Sequence, residues 1–292
     1  MKKLMFAAAA LAAGVAFAEE TATSIQSANV VGYVTREVVR NSYNMLAIQF
    51  QDPASIVEAG DIGKAITTDL PCLDFADYDL PDFPKIMIKT SDTDAAYGKN
   101  FYYLCDSEFD DDVELPSGWY TSDEEEPSAE DLIALGRGFW LVIPNDEELY
   151  PNDKYTVTFA GQVPTTTKSL SVPVVNNGYI MMANPFPVDL DFNKMITPSA
   201  GVPCLDFADY DLPDFPKIMI KTSDTDAAYG KNFYYLCDSE FDDDIELPDG
   251  WYTSDEEEPT ADDFVKPGNS FWVVIPDGCL SDDKQTFSFS MN

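Results

Sequence analysis

The segment PCLDFADYDLPDFPKIMIK starts at Pro71 and starts again, letter for letter, at Pro203. The identity extends from Pro71–Pro127 to Pro203–Pro259, at an offset of 132 residues. Over those 57 positions only Val113/Ile245 and Ser117/Asp249 differ. A chain that carries one long segment twice must find two equivalent environments for it, so the repeat dictates an architecture of two like halves. Outside the block the correspondence is looser. GRGFWLVIP at Gly136 answers GNSFWVVIP at Gly268, and NSYNMLAIQF at Asn41 answers NGYIMMANPF at Asn177. An old duplication followed by a later copying of the middles accounts for this mosaic. What survives in the diverged flanks is apolar, and apolar survivors mark a shared core rather than a shared active site.

The runs KIMIK, KNFYYLC, GWYT, GFWLVIP and YTVTFAGQV are short and rich in β-branched and aromatic residues. Pro, Gly, Asp and Ser punctuate them closely. YTVTF and TFSFS alternate with period two, the pattern of half-buried strands. The expected fold is mainly β, two tandem antiparallel β-sandwich-like domains with short helices, the first over 19–165 and the second over 166–292. The short helices fall at SAEDLIAL, TADDF and ASIVEAGDIGKAI, the first two opening on capping-box-like Ser128 and Thr260.

The first eighteen residues pair Lys2 and Lys3 with an apolar run and an Ala16-Phe17-Ala18 cleavage pattern, and they read as a secretory signal peptide. The expected location is therefore the periplasm, the cell surface or the exterior. No stretch is long enough to span a bilayer as a helix, so membrane insertion is not expected. Loss of Lys2 and Lys3 takes the net charge from −36 to −38. So acidic a surface disfavours nucleic acid and favours divalent cations or basic partners. In an oxidising compartment Cys72 with Cys105 and Cys204 with Cys237, each pair 33 positions apart, are expected to form disulfides, leaving Cys279 over.

SANVVGYV at Ser27, the Gly-Tyr-x-x-x-Ala-Asn-Pro-Phe of Gly178–Phe186 and VTFAGQVP at Val157 resemble landmarks of a group of uncharacterised exported bacterial β-repeat proteins. The likeness covers about a third of the chain. It implies export and tandem β-domains and carries no activity. The first half departs from the landmark, with AIQF where the second has ANPF.

Histidine is absent, which removes the Ser-His-Asp triad and His-ligated zinc. The carboxylates are the stronger signal, because the two duplicated segments hold 33 of the 53 acids. The densest runs place Asp106, Glu108, Asp110, Asp111 and Asp112, and again Asp238, Glu240, Asp242, Asp243 and Asp244, within ten residues. Crowded carboxylates repel, and a bound calcium ion, taking six to eight oxygens, reverses that sign. Ca²⁺ is accordingly the one candidate cofactor, set against a plain solvated acidic loop. Trp119-Tyr120 and Trp251-Tyr252, each after a Pro-x-Gly turn, are candidate rings for stacking on carbohydrate. A glycoside hydrolase with paired carboxylates is a third reading, but among so many acids such a pair arises by chance. The reading adopted is an exported, non-enzymatic acidic repeat protein with a structural or binding role. Its expected partners are a polysaccharide, a basic surface or a second copy of itself, and a pair of carbohydrate-binding modules is the alternative.

Overall fold

The structure is a computed structural model that describes residues 31–50, 62, 66–74, 79–89, 92, 98–105, 107–109, 113–128, 131, 133–162, 169–205, 211–221, 230–236, 239–241, 245–281 and 285–291. The first half runs through β1 (Val31–Val39), β2 (Ser42–Ala47), β3 (Ile66–Thr68), β4 (Lys85–Ile88), β5 (Lys99–Leu104), β6 (Ser107–Phe109), β7 (Val113–Leu115), β8 (Gly118–Tyr120), β9 (Gly138–Ile143) and β10 (Lys154–Gln162). The second repeats the plan with β11 (Ser169–Val174), β12 (Gly178–Ala183), β13 (Ile196–Pro198), β14 (Lys217–Ile220), β15 (Lys231–Leu236), β16 (Ser239–Phe241), β17 (Ile245–Leu247), β18 (Gly250–Tyr252), β19 (Ser270–Ile275) and β20 (Gln285–Ser290).

Each half forms a three-stranded sheet, β1-β10-β3 or β11-β20-β13. Each also forms a five-stranded sheet, β2-β9-β4-β5-β8 or β12-β19-β14-β15-β18, and a small hairpin, β6-β7 or β16-β17. All the named strand pairs are antiparallel. One core, including Ile86, Phe101, Phe139, Leu141 and Phe159, fills the space between the two larger sheets of the first half. Its counterpart, with Ile218, Phe233, Phe271, Val273 and Phe287, fills the second. β20 shows why the three-stranded sheets were legible, since its residues alternate strictly between buried and half-buried positions.

The expectation of a mainly β chain with small antiparallel sheets holds. Its arrangement as two tandem sandwiches does not. The four larger sheets are disposed like the blades of a four-bladed propeller. The physical reason lies in the five-stranded sheets, whose second faces are also apolar. Met45, Met87 and Trp140 on one sheet meet Met181 and Trp272 on the other, with the two indole rings 5.2 Å apart. A sheet with two greasy faces needs cover on both. The halves supply it to each other, and the seam is built as matching pairs of contacts. Ala47 N donates to Gly268 O and Ala183 N to Gly136 O, both at 2.9 Å. The Lys221 ammonium donates to the Tyr43 carbonyl and that of Lys89 to the Tyr179 carbonyl.

Helix is minor, as expected, and its placement is partly new. The Thr260 start forms a 3-10 turn, Ala261–Asp263, with Thr260 N and Oγ1 both donating to Asp263 Oδ2. Ser128 repeats those bonds to Asp131. An α-helical turn, α1 (Phe192–Met195), is capped by Asp191. Two further 3-10 turns sit on the Leu-Pro-Asp copies at Leu80 and Leu212. Most of the segment from Ala54 lies outside the described residues. So do the signal segment and residue 165, where the halves were expected to join. Among the described residues no helix is long and apolar enough to cross a membrane.

Candidate functional site

β8 and β18 place Trp119-Tyr120 and Trp251-Tyr252 at the margins of the five-stranded sheets, and the side chains turn inward. Trp119 and Trp251 are 2% and 1% exposed, and both tyrosines are equally buried. Trp119 packs on Tyr103 with ring centroids 4.9 Å apart, and Trp251 packs on Tyr235 at 5.1 Å and Phe287 at 5.7 Å. The tyrosine hydroxyls donate back to the carbonyls of Pro116 and Pro248 at 2.7 and 2.9 Å, closing the preceding turns. These rings have no free face for a sugar, which corrects the expectation of stacking. The Pro-x-Gly turn before them is a clamp for the tyrosine rather than a rim.

Asp106, Asp110, Asp111 and Asp112 lie outside the described residues, as do Asp238, Asp242, Asp243 and Asp244. Glu108 and Glu240 fall on β6 and β16, where the backbone is described. Ladder register sets Glu108 opposite Glu114 and Glu240 opposite Glu246. Among the described residues no group of three or more Cys, Asp or Glu is disposed to hold a metal ion. Cys72 and Cys105 are joined, their Cα atoms 4.8 Å apart, and Cys204 is also disulfide-bonded. Cys237 lies outside the described residues. Cys279 is free and half-buried, and burial, reinforced by Asp214, pushes its thiol up to about 11, so it is a poor nucleophile.

The acidic feature that the structure defines best is one that the sequence reading counted without singling out. Immediately after β8 the chain folds around Thr121. Its Oγ1 accepts from Asp123 N and Glu125 N at 3.3 and 3.2 Å, and its amide donates to Glu125 O at 2.9 Å. Glu124 completes the turn at φ 59°, a left-handed position uncommon for a residue with a side chain. The Thr253 turn repeats every element, with Glu256 also at φ 59°. The buried threonine holds exposed Asp123, Glu125 and Glu126 on one rigid loop, and Asp255, Glu257 and Glu258 on the other. Burial pushes the Glu124 carboxyl up. A Thr-Ser-Asp-Glu-Glu-Glu run directly after a strand was the available signal.

Beside each turn a lysine and an aspartate pair across the loop. Lys99 Nζ lies 2.7–2.8 Å from both oxygens of Asp131, and Lys231 Nζ lies 2.9–3.0 Å from those of Asp263. Burial alone would push the Asp131 carboxyl up. Hydrogen bonds from Lys99, from the Ser128 hydroxyl and from its amide together outweigh that and hold it below the ordinary carboxylate range. Asp263 is lowered in the same way against burial by Thr260 and Lys231. A carboxyl with a depressed folded pKa stabilises the fold above its unfolded value of about 3.9 and loses that contribution as pH falls through the folded value. Asp131→Asn should therefore weaken the fold near neutral pH, and the deficit should shrink as the parent's own carboxylate is protonated below about pH 4. Urea denaturation of both chains across that range checks it, and a constant deficit would contradict it.

The fold and these paired acidic turns define a mainly β chain with a duplicated, carboxylate-rich surface. No family model, curated protein or solved structure matches the chain.

Proposed function

We propose that the protein acts outside the cytoplasm as a non-enzymatic acidic scaffold. Its duplicated loops take up divalent cations, calcium foremost, and contact a polymer, a basic surface or a second copy through them. The observation that carries this reading is the pair of identical Thr121 and Thr253 turns, each presenting exposed carboxylates from a preorganised loop. Preorganisation lowers the cost of gathering like charges around a cation. Two equivalent surfaces on one chain would also bind a repeating partner with avidity. Export is supported by the N-terminal sequence and by the Cys72–Cys105 disulfide, a bond that persists in oxidising compartments.

Thermal unfolding with increasing calcium tests the proposal. At about ten times the dissociation constant a single site adds about 1.4 kcal/mol to stability, and more sites add more. The midpoint should rise with calcium and not with the same ionic strength of sodium. An unchanged midpoint at millimolar calcium would leave the acids as solvated charge and remove the cation-dependent scaffold.

A further inference from the structure

β1 ends the sheet order β1-β10-β3, and its counterpart β11 ends β11-β20-β13. A strand at a sheet end leaves alternate main-chain groups unpaired. Val39 shows which groups these are. Its amide donates to Asn44 Oδ1 at 2.8 Å and its carbonyl accepts from Asn44 Nδ2 at 3.1 Å, so it turns away from β10. The next amide, that of Arg40, donates to Asp153 O at 2.9 Å on the β10 side. With period two, Glu37, Thr35 and Tyr33 also point their N–H and C=O groups outward. Their side chains are exposed, Tyr33 to 77%.

The second half closes the same edge. Pro173 stands where the first half has Glu37, and proline has no N–H to offer. Inside a ladder a proline is tolerated where its nitrogen faces away from the partner strand, the orientation that Glu37 has on β1. The other sheet ends offer less. β3, β8, β13 and β18 are three residues each, against nine for β1. β2 and β12 are engaged at the seam, through Ala47 and Ala183. Among the described residues β1 is thus the long edge left open.

Charge and symmetry select the occupant. A chain of net charge −36 repels its own copies over most of its surface. The strands β1, β10 and β3 carry Arg36, Lys154 and a lone acid, Glu37, which pairs with Lys154. A second copy meets no excess of like charge there. Antiparallel pairing about a two-fold axis at Thr35 sets Thr35 opposite Thr35, and Tyr33 opposite Glu37 of the second copy. The outward groups then exchange about six main-chain hydrogen bonds, and the exposed Tyr33 ring gains cover. One open edge pairing with its like stops at two copies, and Pro173 prevents the growth that a second open edge would permit.

We propose that the β1 edge is a homodimer interface, at which two copies join their three-stranded sheets through Tyr33, Thr35 and Glu37. It lies apart from the acidic turns and does not depend on cation uptake by them.

The test is sedimentation equilibrium of the full chain in EDTA over a range of concentrations, with amide hydrogen exchange on the same samples. The parent should reach twice the mass of one chain, with the amides of Tyr33, Thr35 and Glu37 protected in the dimer and released on dilution. Glu37→Pro copies the residue that the second half already accommodates. It should weaken the dimer by about thirtyfold, two main-chain hydrogen bonds lost at about fivefold each. Glu37→Gln keeps the N–H and should stay dimeric. Should Glu37→Pro not fold, Pro173→Glu carries the test, because opening the second edge should extend dimers into longer assemblies. A parent that is monomeric at every concentration would overturn the proposal, and edge amides protected in that monomer would give the edge to another segment of its own chain. A dimer unchanged by Glu37→Pro, or one that Pro173→Glu does not extend, would overturn it equally.

Discussion

Trp251→Ala is expected to destabilise the protein by about 3–5 kcal/mol, the range for removing a fully buried large aromatic side chain. At roughly 2–4 °C per kcal/mol for a chain of this size, the unfolding midpoint should fall by roughly 6–20 °C. The reason is position. Trp251 is 1% exposed, and its indole joins Tyr235 on the neighbouring strand to Phe287 on the three-stranded sheet, so it ties two sheets of one core together. Deletion leaves a cavity among rigid aromatic neighbours that cannot collapse to fill it. Trp119→Ala should fall in the same range, because Trp119 belongs to the equivalent core of the first half. The measurement is thermal or urea unfolding of each variant beside the parent. A polysaccharide panel run with it separates the two meanings of the ring. A variant of parental stability that had lost sugar binding would put the tryptophan on the surface and refute the buried placement.

That tryptophan also shows where the sequence is readable and where it is not. Gly-Trp-Tyr-Thr is three strand residues between turn signals, too short for its pattern to reveal which side is covered. Period-two alternation in YTVTF and TFSFS is informative because one face meets water. The unbroken apolar runs KIMI and GFWLVI announce strands but not what lies against their second faces. In this chain the cover is the other half, a pairing across more than a hundred residues that local pattern cannot encode. Charge behaves similarly. Acids counted along the chain point to the Cys105 and Cys237 runs, whereas the loop whose geometry the structure fixes is held by Thr121, a neutral residue that a charge count passes over. The exchange of Arg137 for Asn269 is visible in an alignment of the two copies. Its place in the fold, bridging each half to the other, depends on the two copies facing one another across a seam.

The divergence between Gly138 and Ser270 provides the sharpest test of that seam. These positions correspond in the two copies, and they meet in space. A Cβ placed on Gly138 would lie 2.3 Å from Ser270 Cβ and 2.7 Å from both Ser270 Oγ and Met181 Cγ. Real Cβ atoms do not approach so closely, and the obstacles belong to packed side chains of the other half. Gly138→Ala is therefore expected to cost about 3 kcal/mol, the upper part of the usual range for overpacking a core. Ser270→Gly alone removes a buried hydroxyl without a partner along with its Cβ, and should change stability far less. Combined, the two substitutions exchange the small and the larger residue across the seam and restore room for one Cβ. The double variant should accordingly recover most of the loss, giving a coupling energy within the roughly 0.5–3 kcal/mol measured for residues in contact. If the halves were independent domains on a tether, the effects would simply add. Additivity of Gly138→Ala and Ser270→Gly in urea denaturation would therefore separate the four sheets into two unlinked pairs, and strong coupling would require the halves to unfold against a shared face.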